Sequence, residues 1–167
     1  LIHAAMAANA TERIQARTAI AVAFPRSPMV LASQAWSIQV NSGGRFAMGL
    51  GTQVRGHNER RFSVPWKAPR SRMVEYVKAL RAIWRCWEMG GKLDFEGDHY
   101  RFTLMTPEFA PPPSGLPPIP VTIAAVRPAM LQLAGRVCDG VRLHLFATRK
   151  YLEGVALPAI DTGLAKS

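Results

Sequence analysis

The sequence predicts an α/β fold with a parallel sheet and helices packed outside it. Three observations predict it. Short apolar runs alternate with amphipathic helical patterns along the chain. The runs are apolar on both faces, as strands covered on two sides must be. Prolines and glycines punctuate nearly every boundary.

Leu1 to Asn9 is Ala-rich and reads as a helix end, and Ala10 to Arg13 as a short connection. Ile14 to Phe24 alternates Ile14, Ala16, Thr18, Ile20, Val22 and Phe24 and reads as one buried strand ended by Pro25. Ser27 then Pro28 is a helix start, an N-cap followed by proline at the first helical position. Met29 to Val40 forms the helix body, and Gly43 and Gly44 supply the stop. Arg45 to Gly51 is the second strand, with Gly49 and Gly51 at its carboxyl end, where glycine permits close backbone approach.

Thr52 to Pro69 reads as a long polar loop, a length usually reserved for function. Arg70 to Trp87 carries Met73, Tyr76, Val77, Leu80, Ile83, Trp84 and Trp87 at three-and-four spacing and reads as a helix. Leu93 to Thr103 reads as a hairpin turning at Gly97-Asp98. Pro107 to Pro120 is a Pro-rich crossover that excludes helix and central strand. Pro120 to Val126 is the third strand, Pro128 to Cys138 a helix, and Gly140 to Leu145 the fourth strand. Thr148 caps a helix through about Ala156, and Pro158 is expected to break the pattern. The 167 residues read as one domain, with 92–119 as an insertion and crossover. Periodicity fits an open doubly wound sheet and part of a barrel equally.

Composition narrows the function. Apolar residues make up 49% and charged residues 19%, a globular balance. The net charge is +10, from 21 Lys and Arg against 11 Asp and Glu. The cations are interspersed, so a nucleic-acid-binding module is disfavoured. The densest group is Arg55, Arg60, Arg61, Lys67, Arg70 and Arg72, which suits a phosphate-bearing ligand. Cys86 and Cys138 lack the companions of a zinc site and read as reduced thiols. The chain carries no signal-like segment and no membrane-length apolar run, so a cytoplasmic protein with no membrane partner is expected.

Ligands of parallel α/β sheets bind at the strands' carboxyl ends. Those ends are Phe24 to Ser27, Gly51 to Asn58, Val126 to Ala129 and His144 to Thr148. The Gly49-Leu50-Gly51-Thr52 turn and the helix start at Pro128 have phosphate-site character. No GxGxxG, P-loop, GxSxG or HExxH pattern occurs. His57 is a weak catalytic candidate against a solvated loop histidine. His144 reads as a packed or satisfied histidine. Glu59 and Glu108 are possible acids without an identifiable partner. Trp84 and Trp87 read as core, and Trp66, in the long loop, as a candidate cover for a substrate.

Ser42-Gly43-Gly44-Arg45-Phe46-Ala47-Met48-Gly49-Leu50-Gly51 resembles the SxGRFxLGLG signature of luciferase-like monooxygenases. TAIAVAFPRSP before it, and MVEYVKALRAIW, LDFEGDHYRF, PPIPVTIAAV and Cys138-Asp139-Gly140 after it, follow the family order. GTQVRGHNERRF looks like the subgroup that uses the deazaflavin coenzyme F420. The resemblance implies a (β/α)8 barrel, which takes about 250 residues when whole. It implies that this chain holds the third to sixth strands with an insertion hairpin and is an incomplete barrel. It implies oxidoreductase chemistry on a small-molecule substrate, with coenzyme F420 or, alternatively, FMN and molecular oxygen, and a possible homodimer. A non-enzymatic truncated remnant is the rival class, because half a barrel exposes two sheet edges.

The resemblance also implies site residues. Ala19 and Ile20, with Ala21, match a bulge that backs the flavin-type ring, with a cis non-proline peptide. Val22 matches a ring-lining position. Gly51, Thr52 and Asn58 match the cofactor-contacting turn. Val126, Arg127, Ala129 and Met130 match the segment around the cofactor phosphate. Arg127 stands where the family usually has glycine, and it could grip the phosphate or block it.

Overall fold

The structure is a computed structural model describing residues 1–167. In chain order it contains α1 (Ile2–Asn9), β1 (Ala16–Arg17), β2 (Ala21–Val22), α2 (Pro28–Asn41) and β3 (Phe46–Gly51). Then come α3 (Arg55–Arg61), α4 (Pro69–Met89), β4 (Phe95–Glu96), β5 (Arg101–Phe102) and β6 (Val121–Ala124). α5 (Pro128–Val137), β7 (Gly140–Arg142), α6 (Arg149–Tyr151) and α7 (Leu157–Leu164) complete it. β1, β3, β6 and β7 lie side by side, and β2 also pairs with β3. Every pairing among these strands is parallel. β1 and β2 share one place beside β3, so the sheet has four strand positions and does not close.

The expected single strand from Ile14 to Phe24 is corrected to two short ones. Arg17 pairs with Ala47 and Ala21 with Leu50. One residue more is spent on this side than on β3, which is a bulge. Its physical cause is Thr18. The Thr18 hydroxyl donates to Gly49 O at 2.7 Å and accepts from Gly49 N at 2.9 Å. The side chain thus replaces the ladder bonds. The Ala19–Ile20 peptide within the bulge is cis. Ile14 is exposed and lies outside either strand.

β3 is buried along its whole length. A Cβ on Gly49 would lie 2.0 Å from Thr18 O, and one on Gly51 would lie 2.5 Å from Ile20 Cδ1. Both glycines therefore make room for the bulge of the neighbouring strand.

The helices follow the sequence pattern closely. Ser27 Oγ accepts from Met29 N at the start of α2, and Gly43 and Gly44 take positive φ just past its end. Gln39, buried on α2, donates to Pro117 O and accepts from Phe46 N, tying the crossover to β3. α4 buries the expected apolar stripe. Trp84 Nε1 donates to Ala32 O, and Trp36 and Trp87 meet edge to face. Trp84 and Trp87 are core residues, as expected. Glu75 of α4 accepts three backbone N–H groups, from Asp98, His99 and Tyr100, and so holds the antiparallel β4–β5 hairpin.

Three further expectations change. The Thr52 to Pro69 loop contains α3. The Pro-rich crossover contains one 3-10 turn, Pro107–Phe109, with proline at a position that needs no N–H donor. Pro158 does not end the last helix. A π-helical turn, Leu152–Ala156, separates α6 from α7 and places Pro158 in the first turn of α7. The backbone stays helical through Ala156 and Leu157, so the π turn rather than a free helix end accommodates the missing N–H.

Candidate functional site

The carboxyl ends of β2, β3, β6 and β7 form the candidate site. At β3 the chain passes from Gly51 through Thr52 to Asn58 on α3. Asn58 is fully buried. Its Nδ2 donates to Thr52 O at 2.9 Å and to Val54 O at 3.1 Å. Both partners are carbonyls, so the amide orientation is determined. That leaves Oδ1 with no donor, and it is the one buried side-chain polar atom so placed. Buried acceptors are normally satisfied, so this atom calls for an N–H or O–H from outside the chain.

Beside it, Ile20 covers Gly51, and Ala19 is exposed. Val22, paired with Gly51, is half-buried. The bulge and Asn58 thus flank the same end of β3.

The second part of the site follows β6. Val126 and Arg127 are exposed, and Ala129 and Met130 are half-buried. Arg127 is the N-cap of α5 with φ −90° and ψ 148°, a conformation open to any residue. The departure from glycine therefore strains nothing. Its guanidinium has no salt bridge. α5 has no side-chain cap, and its Ala129 N–H has no acceptor. A free N–H at the positive end of a helix suits an anion. Tyr151, which no sequence signal marked, donates its hydroxyl to Val126 O and steadies this segment.

Other candidates are less well placed. His57 sits on α3, not in a loop, and its side chain is exposed. His144 is exposed, and its Nδ1 accepts from Phe146 N at 3.2 Å. Glu59, expected to lack a partner, is paired with Arg55 at 3.1 Å. A hydrogen bond from Thr106 lowers the pKa of the exposed Glu108 carboxyl. Trp66 is half-buried with its ring edge-on to Phe24. Burial pushes the Cys138 thiol up to about 12, so it stays protonated at neutral pH. No helix is long and apolar enough to cross a membrane.

The pattern of the luciferase-like monooxygenases matches residues 1–167. The chain belongs to the luciferase-like monooxygenase family. An uncharacterized protein of Mycobacterium tuberculosis is 49% identical over 97% of this chain and 48% of its own length. The F420-dependent glucose-6-phosphate dehydrogenase of Intrasporangium calvum is 30% identical over 98% of this chain and 48% of its own. The solved coenzyme F420-dependent tetrahydromethanopterin reductase of Methanopyrus kandleri superposes with a TM-score of 0.75 at 22% identity, over 98% of this chain and 48% of its own. The chain spans about half the length of these relatives. The open sheet of four strand positions is what half of a luciferase-like barrel looks like.

Two further residues of the site, besides Tyr151, carried no motif. Thr18 is ordinary in a strand pattern, and only its partner Gly49 reveals its work. Arg72 holds the mouth from the hairpin side. Its guanidinium lies 4.6 Å from the Phe24 ring centre, and its Nε donates to the Tyr100 hydroxyl at 2.9 Å. It also donates to Phe24 O at the carboxyl end of the bulged strand.

Proposed function

We propose that this chain carries half of a binding site for the deazaflavin coenzyme F420, in a protein that transfers hydride to or from a small organic substrate. The observation that carries the reading is Asn58 Oδ1, buried and without a donor at the carboxyl end of β3. The F420-dependent relatives support the choice of coenzyme. When bound, F420 supplies a two-electron carrier that takes up or gives back hydride.

The chain's residues fit that group. Asn58 Oδ1 accepts a ring or ribityl hydrogen bond. The Ala19–Ile20 bulge and Val22 back the ring and exclude water from one face. Gly51 and Thr52 hold the turn, since Thr52 O is what orients the Asn58 amide. The free Ala129 N–H and the Arg127 guanidinium hold the phosphate, with Val126 and Met130 as its apolar flanks. A charge-assisted guanidinium–phosphate bond is the stronger kind. No residue of the chain is assigned as the proton donor or acceptor.

Equilibrium titration of the purified chain with F420 and, separately, FMN tests the proposal. Saturable F420 binding tighter than FMN binding is expected. Arg127→Ala, an exposed change that leaves the fold intact, is expected to weaken F420 by about tenfold. Asn58→Leu is expected to weaken it at least as much. Tight FMN binding with none of F420 overturns the coenzyme assignment. Tighter F420 binding by Arg127→Ala overturns the role given to that guanidinium.

A further inference from the structure

A cavity of about 500 Å³ lies between α4, α5 and the end of α7. Its walls include Arg70 of α4, Arg136 of α5 and Lys166 just past α7, and no carboxylate. None of the three cations makes a salt bridge, although five other ion pairs form on the surface. Gln132 adds an exposed amide to the same wall. Like charges gathered on one concave surface raise each other's energy unless an anion joins them. Two helices and the segment just past a third supply one cation each, so the arrangement is a product of tertiary packing. It is held by the close contact of α5 and α7, where a Cβ on Gly135 would lie 2.3 Å from Ile160 O.

The start of α4 adds to the field. Its N-cap, Ala68, provides no side-chain cap, and the Arg70 and Ser71 N–H groups have no acceptor. Val126, Arg127 and Met130 do not line the cavity, and Ala129 alone is shared with the segment proposed for the cofactor.

We infer that this cavity is a second binding site, for a multiply charged phosphate group such as a pyrophosphate or phosphate ester of a small molecule. Two arginines offer bidentate forks to its oxygens, and Lys166 supplies a movable point charge. The site adjoins the strand carboxyl ends at Ala129 but rests on other side chains, and it does not depend on the cofactor reading.

Calorimetric titration of the chain with pyrophosphate, at constant ionic strength, is the test. One saturable site is expected, with inorganic phosphate binding more weakly. Arg136→Gln and Lys166→Gln are each expected to weaken pyrophosphate by about tenfold. Arg85→Gln removes the same charge from an exposed, unpaired arginine elsewhere on α4 and is expected to change binding less than about twofold. Arg127→Ala, in the segment proposed for the cofactor, reports any anion held at the start of α5 instead. Unsaturable binding overturns the proposal, as does a loss in Arg85→Gln equal to that in Arg136→Gln, which would mean diffuse attraction to a basic protein. A loss confined to Arg127→Ala would place the anion at the start of α5 and also overturn it. All four side chains are exposed, and circular dichroism checks that each variant folds.

Discussion

Replacing Gly49 with alanine should be among the most damaging single-methyl changes in the chain. The new Cβ would stand 2.0 Å from Thr18 O and 3.4 Å from Thr122 Oγ1. The first contact is with backbone, which cannot swing aside. The bulge must move by more than an ångström, and that motion breaks both Thr18–Gly49 hydrogen bonds. Overpacking a buried site costs about 1–3 kcal/mol. Losing two buried hydrogen bonds adds about 1 kcal/mol each. The expected destabilisation is therefore about 3–5 kcal/mol, read as a fall in the urea midpoint at unchanged m-value. Thr18→Val keeps the shape, leaves Gly49 N and O unpaired, and should cost about 2–4 kcal/mol. Because both changes break the same two bonds, the double variant should fall well short of the sum. A Gly49→Ala cost below about 1 kcal/mol, or full additivity with Thr18→Val, would refute the role of the Thr18–Gly49 pair in forming the bulge.

Two further outcomes are expected. Gly154→Ala, where a Cβ meets nothing within 4 Å and φ is not positive, should raise stability by about 0.5–1 kcal/mol in the same assay. The Glu88 carboxylate accepts from Ser114 Oγ, Ser114 N and Gly115 N, chiefly the Ser114 hydroxyl, and these bonds hold its pKa below the ordinary 4.5. A depressed carboxyl contributes stability above its unfolded pKa and loses it as pH falls through the folded value. Glu88→Gln should therefore cost about 0.5–1 kcal/mol near pH 7, discounted for its partial exposure, and the gap should close as pH falls well below 4.5.

Much of the architecture was legible because local signals and packing agree. Ser27-Pro28 and Gly43-Gly44 bracket α2, and the apolar stripe from Met73 to Trp87 marks α4. α3 was invisible for a physical reason. Its residues, RGHNERR, carry no apolar stripe, and the turn is held by Asn58 bonding to Thr52 O and Val54 O. The split of the first strand was hidden because Thr18 acts on Gly49, 31 residues away. The resemblance pointed to a bulge at Ala19 and Ile20, but nothing in the alternation did. The proline rule failed at Pro158 because a π-helical turn shifted the helix register by one donor. Of the site residues, Asn58 lay in a strand carboxyl-end segment and was singled out by resemblance, and its unpaired Oδ1 appears only in three dimensions.

The two parts of the candidate site rest on different cores. The bulge and Asn58 both hang on β3, which is wholly buried in the main apolar core with Leu31, Tyr76, Leu80 and Ile123. The Val126–Met130 segment hangs on β6 and β7 through Ala125 N to Arg142 O and through Tyr151. Beneath it lies a separate small cluster, Ala125, Leu131, Ala156 and Ala159. β7 is only half-buried, and no strand covers its far edge. Local opening costs least where few apolar contacts are lost. β7 with α6 and α7 should therefore open before the β3 side. In that partly opened state the Ala19–Ile20 bulge and Asn58 keep their geometry while Arg127 and the Ala129 N–H lose theirs. An anion bound at the start of α5 would stabilise the closed form of that second core, at a cost to its own apparent affinity.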